Sequence, residues 1–148
     1  MDSAQYARAM SASPALTGAC GCGAVRFELT EPLIAAAYCH CTRCQRLTGT
    51  AASATALSAR GSFRVVEGEE HVGTWAPDEG FEKMCCSLCG SAIFGVNPND
   101  RDAVLVRLGA MDGDPGVRPQ ARQFVAYAAP WEPIPDDGLP RFDEQLPR

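Results

Sequence analysis

Seven of the eight cysteines fall into three tight motifs, and this spacing restricts the chain more than any other feature. The motifs are Cys20-Gly21-Cys22, Cys39-His40-Cys41-Thr42-Arg43-Cys44 and Cys86-Ser87-Leu88-Cys89. Alternate side chains of a strand share a face, so Cys20 can point with Cys22, and Cys39 with Cys41. Thr42 and Arg43 read as a tight turn that brings Cys44 back toward Cys39 and Cys41. The outcome is a claw of three soft ligands, which suits zinc. A CxC pair and a CxxC knuckle each supply half of a tetrahedral site, so Cys20, Cys22, Cys86 and Cys89 are expected to share another ion. Four thiolates close a structural site, whereas three leave a coordination position open for chemistry.

Disulfides are the rival use of these thiols. Cysteines separated by one residue are too close to pair comfortably within their own segment. Residues 1–14 carry no apolar run of secretory length, and no stretch approaches a membrane span. A cytoplasmic location is expected, where thiols stay reduced. The formal net charge is −5. Thiolates bound to two zinc ions would add about three further negative charges. Nucleic acid is therefore not an expected partner, since its binders are basic.

The remaining residues near the motifs have plainer readings. Cys85 is adjacent to Cys86 and should face the opposite way, as a buried apolar side chain. His40 lies between two ligands and should point away from the metal as a half-buried histidine. An acid–base role, a supporting role beside the metal, or a place as fourth ligand stays open for it. His71 reads as a surface residue, and Trp75 and Trp131 as packing or the rim of a pocket. Arg43 and Arg46 read as solvated charges, or as holders of the carboxylates of an anionic thiol.

A chain of 148 residues is long enough for one domain with a buried core. Residues 1–15 read as a flexible lead-in, with a short helix over 4–10 as the alternative. The domain is expected over 16–131. A proline-rich tail over 132–148 is expected to pack on it or leave it, with Trp131 against the body. Val25, Phe27 and Leu29 alternate with Arg26 and Glu28, which predicts a half-buried strand over 24–29. Residues 33–39 are more continuously apolar and predict a strand buried on both faces. Residues 45–50 read as a turn or a single helical turn ending at Gly49. Residues 51–57 and 63–67 predict a hairpin across Ala59-Arg60-Gly61. Further strands are expected at 74–75, 81–86, 92–96, 103–108 and 123–127, with a turn at Asn97-Pro98-Asn99-Asp100. Many short strands between turn signals make the chain mainly β.

Gly18-Ala19-Cys20-Gly21-Cys22-Gly23-Ala24-Val25-Arg26-Phe27, the central claw followed by Gly49, and Cys86-Ser87-Leu88-Cys89-Gly90 together resemble the three motifs of the glutathione-dependent formaldehyde-activating enzyme family. Leu108-Gly109 and Ala129-Pro130-Trp131 are also similar. The resemblance spans residues 16–131, and three motifs in order are a specific signal where one alone would be weak. It implies a β-tent fold of short antiparallel strands stapled by zinc-cysteine knuckles, with two zinc ions. It assigns Cys20, Cys22, Cys86 and Cys89 to a structural zinc, and Cys39, Cys41 and Cys44 to a catalytic one. One departure is Met84-Cys85, where the family usually has a large aromatic before the CxxC.

The function expected on this basis is a carbon–sulfur lyase of the S-(hydroxymethyl)glutathione synthase type. A thiol such as glutathione would enter the open position of the claw, and its sulfur would add to an aldehyde such as formaldehyde. His40 or water would move the proton. The rival is a non-catalytic zinc module for protein contact or for metal and thiol sensing, its second zinc closed by Cys85, His40 or a neighbouring chain. Monomer and homodimer are both compatible with the sequence.

Overall fold

The computed structural model describes Asp2, Ser3 and residues 15–147. The expected lead-in, and the helix at 4–10, fall almost wholly outside them. Ten strands run β1 (Leu16–Ala19), β2 (Arg26–Leu29), β3 (Ala35–Cys39), β4 (Ser53–Leu57), β5 (Phe63–Glu67), β6 (Val72–Trp75), β7 (Glu82–Cys86), β8 (Ala92–Asn97), β9 (Asp100–Arg107) and β10 (Pro119–Gln123). Helix α1 (Thr42–Thr48) and three short 3-10 turns join them among the described residues. The chain is mainly β, as the strand and turn pattern predicts.

The strands form two sheets. A small one has the order β1-β2-β5, and a large one the order β10-β3-β4-β9-β8-β7-β6. All pairings are antiparallel except β10 with β3. The alternation in β2 works as predicted: Val25, Phe27 and Leu29 are fully buried. They pack on one face of the large sheet, made of Ala36, Ala56, Met84, Phe94, Val96, Val104 and Val106. Three rings stitch the layers, with Phe63 5.2 Å from Phe27 and 4.6 Å from Phe94 between centroids. Side chains alternate between the faces of a strand. The other face of the large sheet therefore carries Cys39, Thr55, Lys83, Leu105 and Arg107.

Several expectations are corrected. Leu16–Ala19, at the start of the expected domain and given no strand there, is a strand paired with β2. β4 and β5 are no hairpin; they reverse at Ala59-Arg60-Gly61 but enter different sheets. In β3 only Ala36 and Cys39 are buried while Ala35, Ala37 and Tyr38 are half-buried, so it is not buried throughout on both faces. The residues after Cys41 form helix α1 rather than a bare turn. Cys41 caps its N-terminus by accepting from the Cys44 amide at 3.3 Å, and Gly49 ends it at φ 68°. The last strand is β10, and Val125–Tyr127 is a 3-10 turn. The turn at 97–100 holds: β8 and β9 pair through Asn97 and Asp100, and the Asn97 side chain accepts from the Asn99 amide at 3.0 Å.

The C-terminal segment does return to the body, but not through Trp131, which is 67% exposed. Its backbone bonds to β10 and beyond, from Arg122 to Pro140 and Phe142, and from Phe124 to Glu144. Arg122, buried and stacked on Tyr38 at 4.3 Å, holds Asp137 at 2.7 Å. That guanidinium keeps the Asp137 carboxyl below its ordinary range. The anchor is thus intact at neutral pH and is lost only as pH falls through the lowered value. Asp137→Asn is expected to speed hydrogen exchange at the Phe124 and Phe142 amides while amides of β8 and β9 stay protected.

Gly68 has φ 74°, and a Cβ there would lie 1.9 Å from the Ala24 carbonyl oxygen. This contact seats the loop that carries Cys22 into β2. Gly68→Ala adds left-handed strain to a backbone clash, together about 3 kcal/mol of destabilisation. Chemical denaturation should show this as a lower midpoint with unchanged slope.

Candidate metal centre and cavity

Two sulfur clusters form at the points where strands end. In the first, Sγ atoms of Cys20, Cys22, Cys86 and Cys89 lie within 4.8 Å of one another. Cys20 and Cys22 sit in the turn between β1 and β2, while Cys86 and Cys89 enclose the turn between β7 and β8. Gly90, at φ 79°, closes that turn with its amide on the Cys86 carbonyl at 2.8 Å. The Ser91 hydroxyl ties the two arms, accepting from the Gly21 amide at 2.8 Å and lying 3.1 Å from Cys89 Sγ.

Measured sulfur separations are 3.6 Å for Cys20 to Cys22 and 3.9 Å for Cys22 to Cys86. Zinc–sulfur bonds of about 2.3 Å in a tetrahedron require edges of about 3.8 Å. The residues therefore fit a metal ion of this kind. All eight cysteines are free thiols, so the disulfide reading has no support among them.

The second cluster is Cys39, Cys41 and Cys44, whose Sγ atoms also lie within 4.8 Å of one another. Cys39 ends β3, Cys41 caps α1 and Cys44 is on its first turn. The helix thus does the work expected of a tight turn. Ionisation is divided unevenly inside each cluster. The neighbouring thiols of Cys39 and Cys44 push Cys41 down to about 2, while Cys41 and Cys44 drive Cys39 far up. In the four-sulfur cluster the Ser91 hydroxyl and amide pull Cys89 down to about 5. Crowded sulfurs share a few protons in place of one cation, as metal ligands do.

Of the first cluster, Cys20 alone borders a more open depression of about 610 Å³ among the described residues, whereas all three cysteines of the second line one cavity of about 500 Å³. Arg43, Phe81, Lys83, Arg107, Phe124 and Glu144 are among its walls. Arg43 donates to the Glu79 carbonyl at the rim. Arg46 is exposed and does not line the cavity. His40 is buried and faces away, with Nε2 3.2 Å from an Arg122 guanidinium nitrogen. Burial, then Arg122, lowers its pKa. It borders a separate depression with Tyr38 and Pro133. Cys85 joins neither cluster and is half-buried, with its pKa raised by burial. His71 is half-buried, 3.5 Å from Glu70, and Trp75 is 48% exposed away from this cavity.

Sequence reasoning missed Lys83, Arg107, Phe81 and the tail residue Glu144. A lysine three positions before Cys86 on an alternating strand was the available signal for Lys83, since Lys83 and Cys86 then face opposite ways. Nothing local marks Arg107, which reaches the cavity through strand pairing from β9.

Comparison with known proteins gives the family and the fold. Residues 15–127 match the family described as glutathione-dependent formaldehyde-activating enzyme. A Halomonas elongata protein named "Putative glutathione-dependent formaldehyde-activating enzyme" is 32% identical over 105 residues, covering 67% of each chain. A crystal structure of a Rhodobacter sphaeroides protein superposes with a TM-score of 0.54 at 23% identity. It covers 85% of this chain and 98% of that one, which is a likeness of fold.

Proposed function

The chain belongs to the glutathione-dependent formaldehyde-activating enzyme family, and from that premise we propose that it is a zinc-dependent enzyme joining or splitting glutathione, or a similar thiol, and formaldehyde, or a similar small aldehyde. The observation that carries this is the inequality of the two clusters. Four sulfurs are enough to close a tetrahedral ion, whereas the other group has three, all of which line one cavity. We assign Cys20, Cys22, Cys86 and Cys89 to a structural zinc, and Cys39, Cys41 and Cys44 to a catalytic one. A zinc ion held by three thiolates would supply a position in which a thiol ionises near neutral pH.

The protein's own residues do the rest. Cys41, Cys44 and Cys39 fix the direction from which a thiol sulfur enters. Arg43, at the rim, is within the cavity to meet a carboxylate of the thiol. Phe81 and Phe124 present apolar surface near the centre, which limits water around the sulfur. In the joining direction the thiolate sulfur forms a bond to the aldehyde carbon. The carbonyl π bond breaks onto oxygen, and that oxygen takes the proton released by the thiol. Water in the cavity is assigned the transfer, because His40 faces the other side of β3.

The non-catalytic module needs a fourth protein ligand on the claw. Among the described residues neither Cys85 nor His40 comes within the three-sulfur group. Exchange NMR with carbon-13 formaldehyde and glutathione tests the enzymatic reading. Zinc-loaded protein should accelerate interconversion of the free species and the hydroxymethyl adduct, and metal removal should abolish the effect. A rate equal to that of the protein-free mixture would overturn the reading.

A further inference from the structure

Three thiolates around zinc leave one negative charge in excess, and a fourth thiolate raises the excess to two. A site partly shielded from water disfavours that charge unless cations face it. The wall opposite the core supplies two. Lys83 pairs with Gly95, and Gly95 with Leu105, across β7, β8 and β9. Arg107 lies two residues along on the same face, opposite Thr55, and Cys39 is opposite Ser53 on the far side of β4. Gly95 itself projects no side chain between Lys83 and this floor, and Phe81 lies over that position.

Among the described residues neither cation is paired with a carboxylate. Arg107 is 7% exposed and donates to the Ser53 hydroxyl, while its Nε has no hydrogen-bond partner. Lys83 forms no ion pair among the described residues, and it senses Cys44, Cys41 and Cys39. Burial and, after Cys44, the nearby Arg107 hold its pKa below the usual lysine range. Of the cavity's acidic residues, Glu144 accepts from the Tyr127 hydroxyl at 3.1 Å, and Glu79 meets Arg43 through its backbone carbonyl. A half-buried lysine and a buried arginine thus share one wall, and the single excess charge of a three-thiolate zinc offsets only one of them, which leaves room for a second anion.

We infer that Lys83, backed by Arg107, is a positioning residue that admits an anionic fourth ligand to the centre of Cys39, Cys41 and Cys44 by offsetting the charge of the entering sulfur. This deepens the proposed function and rests on it for the identity of the ligand as a thiol. The offset acts on the sulfur itself, so it serves neutral and charged thiols alike. A contact with glutathione carboxylates would serve only the latter.

Calorimetric titration of the zinc-loaded protein with glutathione, 2-mercaptoethanol and thiocyanate decides the matter. Lys83→Met is expected to weaken all three by about 10-fold or more, equivalent to about 1.4 kcal/mol. Zinc content should be unchanged. Lys83→Arg, which keeps the charge, should restore binding to within about threefold, and Lys83→Gln should repeat the loss. Unchanged affinities, or a loss confined to glutathione, would overturn the inference. It also falls if both neutral variants unfold, since Lys83 would then be a structural cation. If wild-type protein binds thiocyanate but neither thiol, the thiol–aldehyde reading fails while the thiocyanate series still judges Lys83. Absence of binding by all three probes would sink both.

Discussion

Cys86→Ser is expected to lower the melting temperature by at least about 15 °C and to remove one equivalent of metal. Cys86 is 1% exposed and belongs at once to the core and to the four-sulfur cluster. Through that cluster the turn between β1 and β2 is tied to the turn between β7 and β8, with Cys22 and Cys86 separated by 64 positions. Structural zinc contributes on the order of 10 kcal/mol in small domains at neutral pH. Zinc binding by the cysteines of the unfolded chain reduces the net loss; halving the contribution on that account still leaves about 5 kcal/mol, and each kcal/mol moves the midpoint of a chain this size by about 3 °C. Serine is smaller and harder, so it neither fills the buried volume nor replaces the thiolate. Cys85→Ser is the matched control. It is one position away, on the opposite face and outside the cluster, and it should leave metal content intact and shift the midpoint by a few degrees at most. Thermal melts by circular dichroism, with elemental analysis, separate the two variants. Equal behaviour would remove Cys86 from the structural centre.

The control shows which parts of the fold were readable. That Cys85 and Cys86 face opposite ways follows from strand alternation alone, and the same rule placed Val25, Phe27 and Leu29 in the core. Asn97 to Asp100 reads as a turn because the Asn97 side chain can take a nearby amide. Ala59-Arg60-Gly61 is an equally good turn signal, yet its flanking strands part company. A turn encodes a reversal and not a partner. β5 goes to the small sheet because Phe63 and Val65 complete the register with Leu29 and Phe27. β1 escaped notice because Gly18 dilutes its apolar character. That glycine is required where a Cβ would meet the Phe27 ring at 2.2 Å, a contact visible only after the sheets are assembled. α1 was hidden because its cap is a thiol instead of the usual hydroxyl or carboxylate. The cysteine groupings were legible in full. The cationic wall was not, since Lys83 and Arg107 are neighbours only through the pairing of β7, β8 and β9.

Cys41→Ser should leave a folded protein that has lost the thiol chemistry. Cys41 is the one claw residue whose sulfur also caps a helix, through the Cys44 amide. An alanine there would confuse two losses, because removal of an N-cap alone costs about 1 kcal/mol. Serine is a preferred cap and can accept the same amide, so α1 and the placement of Cys44 persist while the soft ligand goes. Two sulfurs cannot hold the ion as three do. Loss of mere supporting partners of a ligand already costs about 10–100-fold, so loss of a ligand should cost at least about 100-fold in the accelerated thiol–aldehyde exchange. The melting temperature should move by only a few degrees, because the four-sulfur staple lies elsewhere in the fold. Metal content should fall by one equivalent, opposite in stability consequence to Cys86→Ser yet equal in stoichiometry. Were Cys41→Ser to keep full exchange activity, the three-sulfur cluster would have no part in the reaction. Were it to unfold as far as Cys86→Ser, the division between a structural and a reactive centre would be wrong.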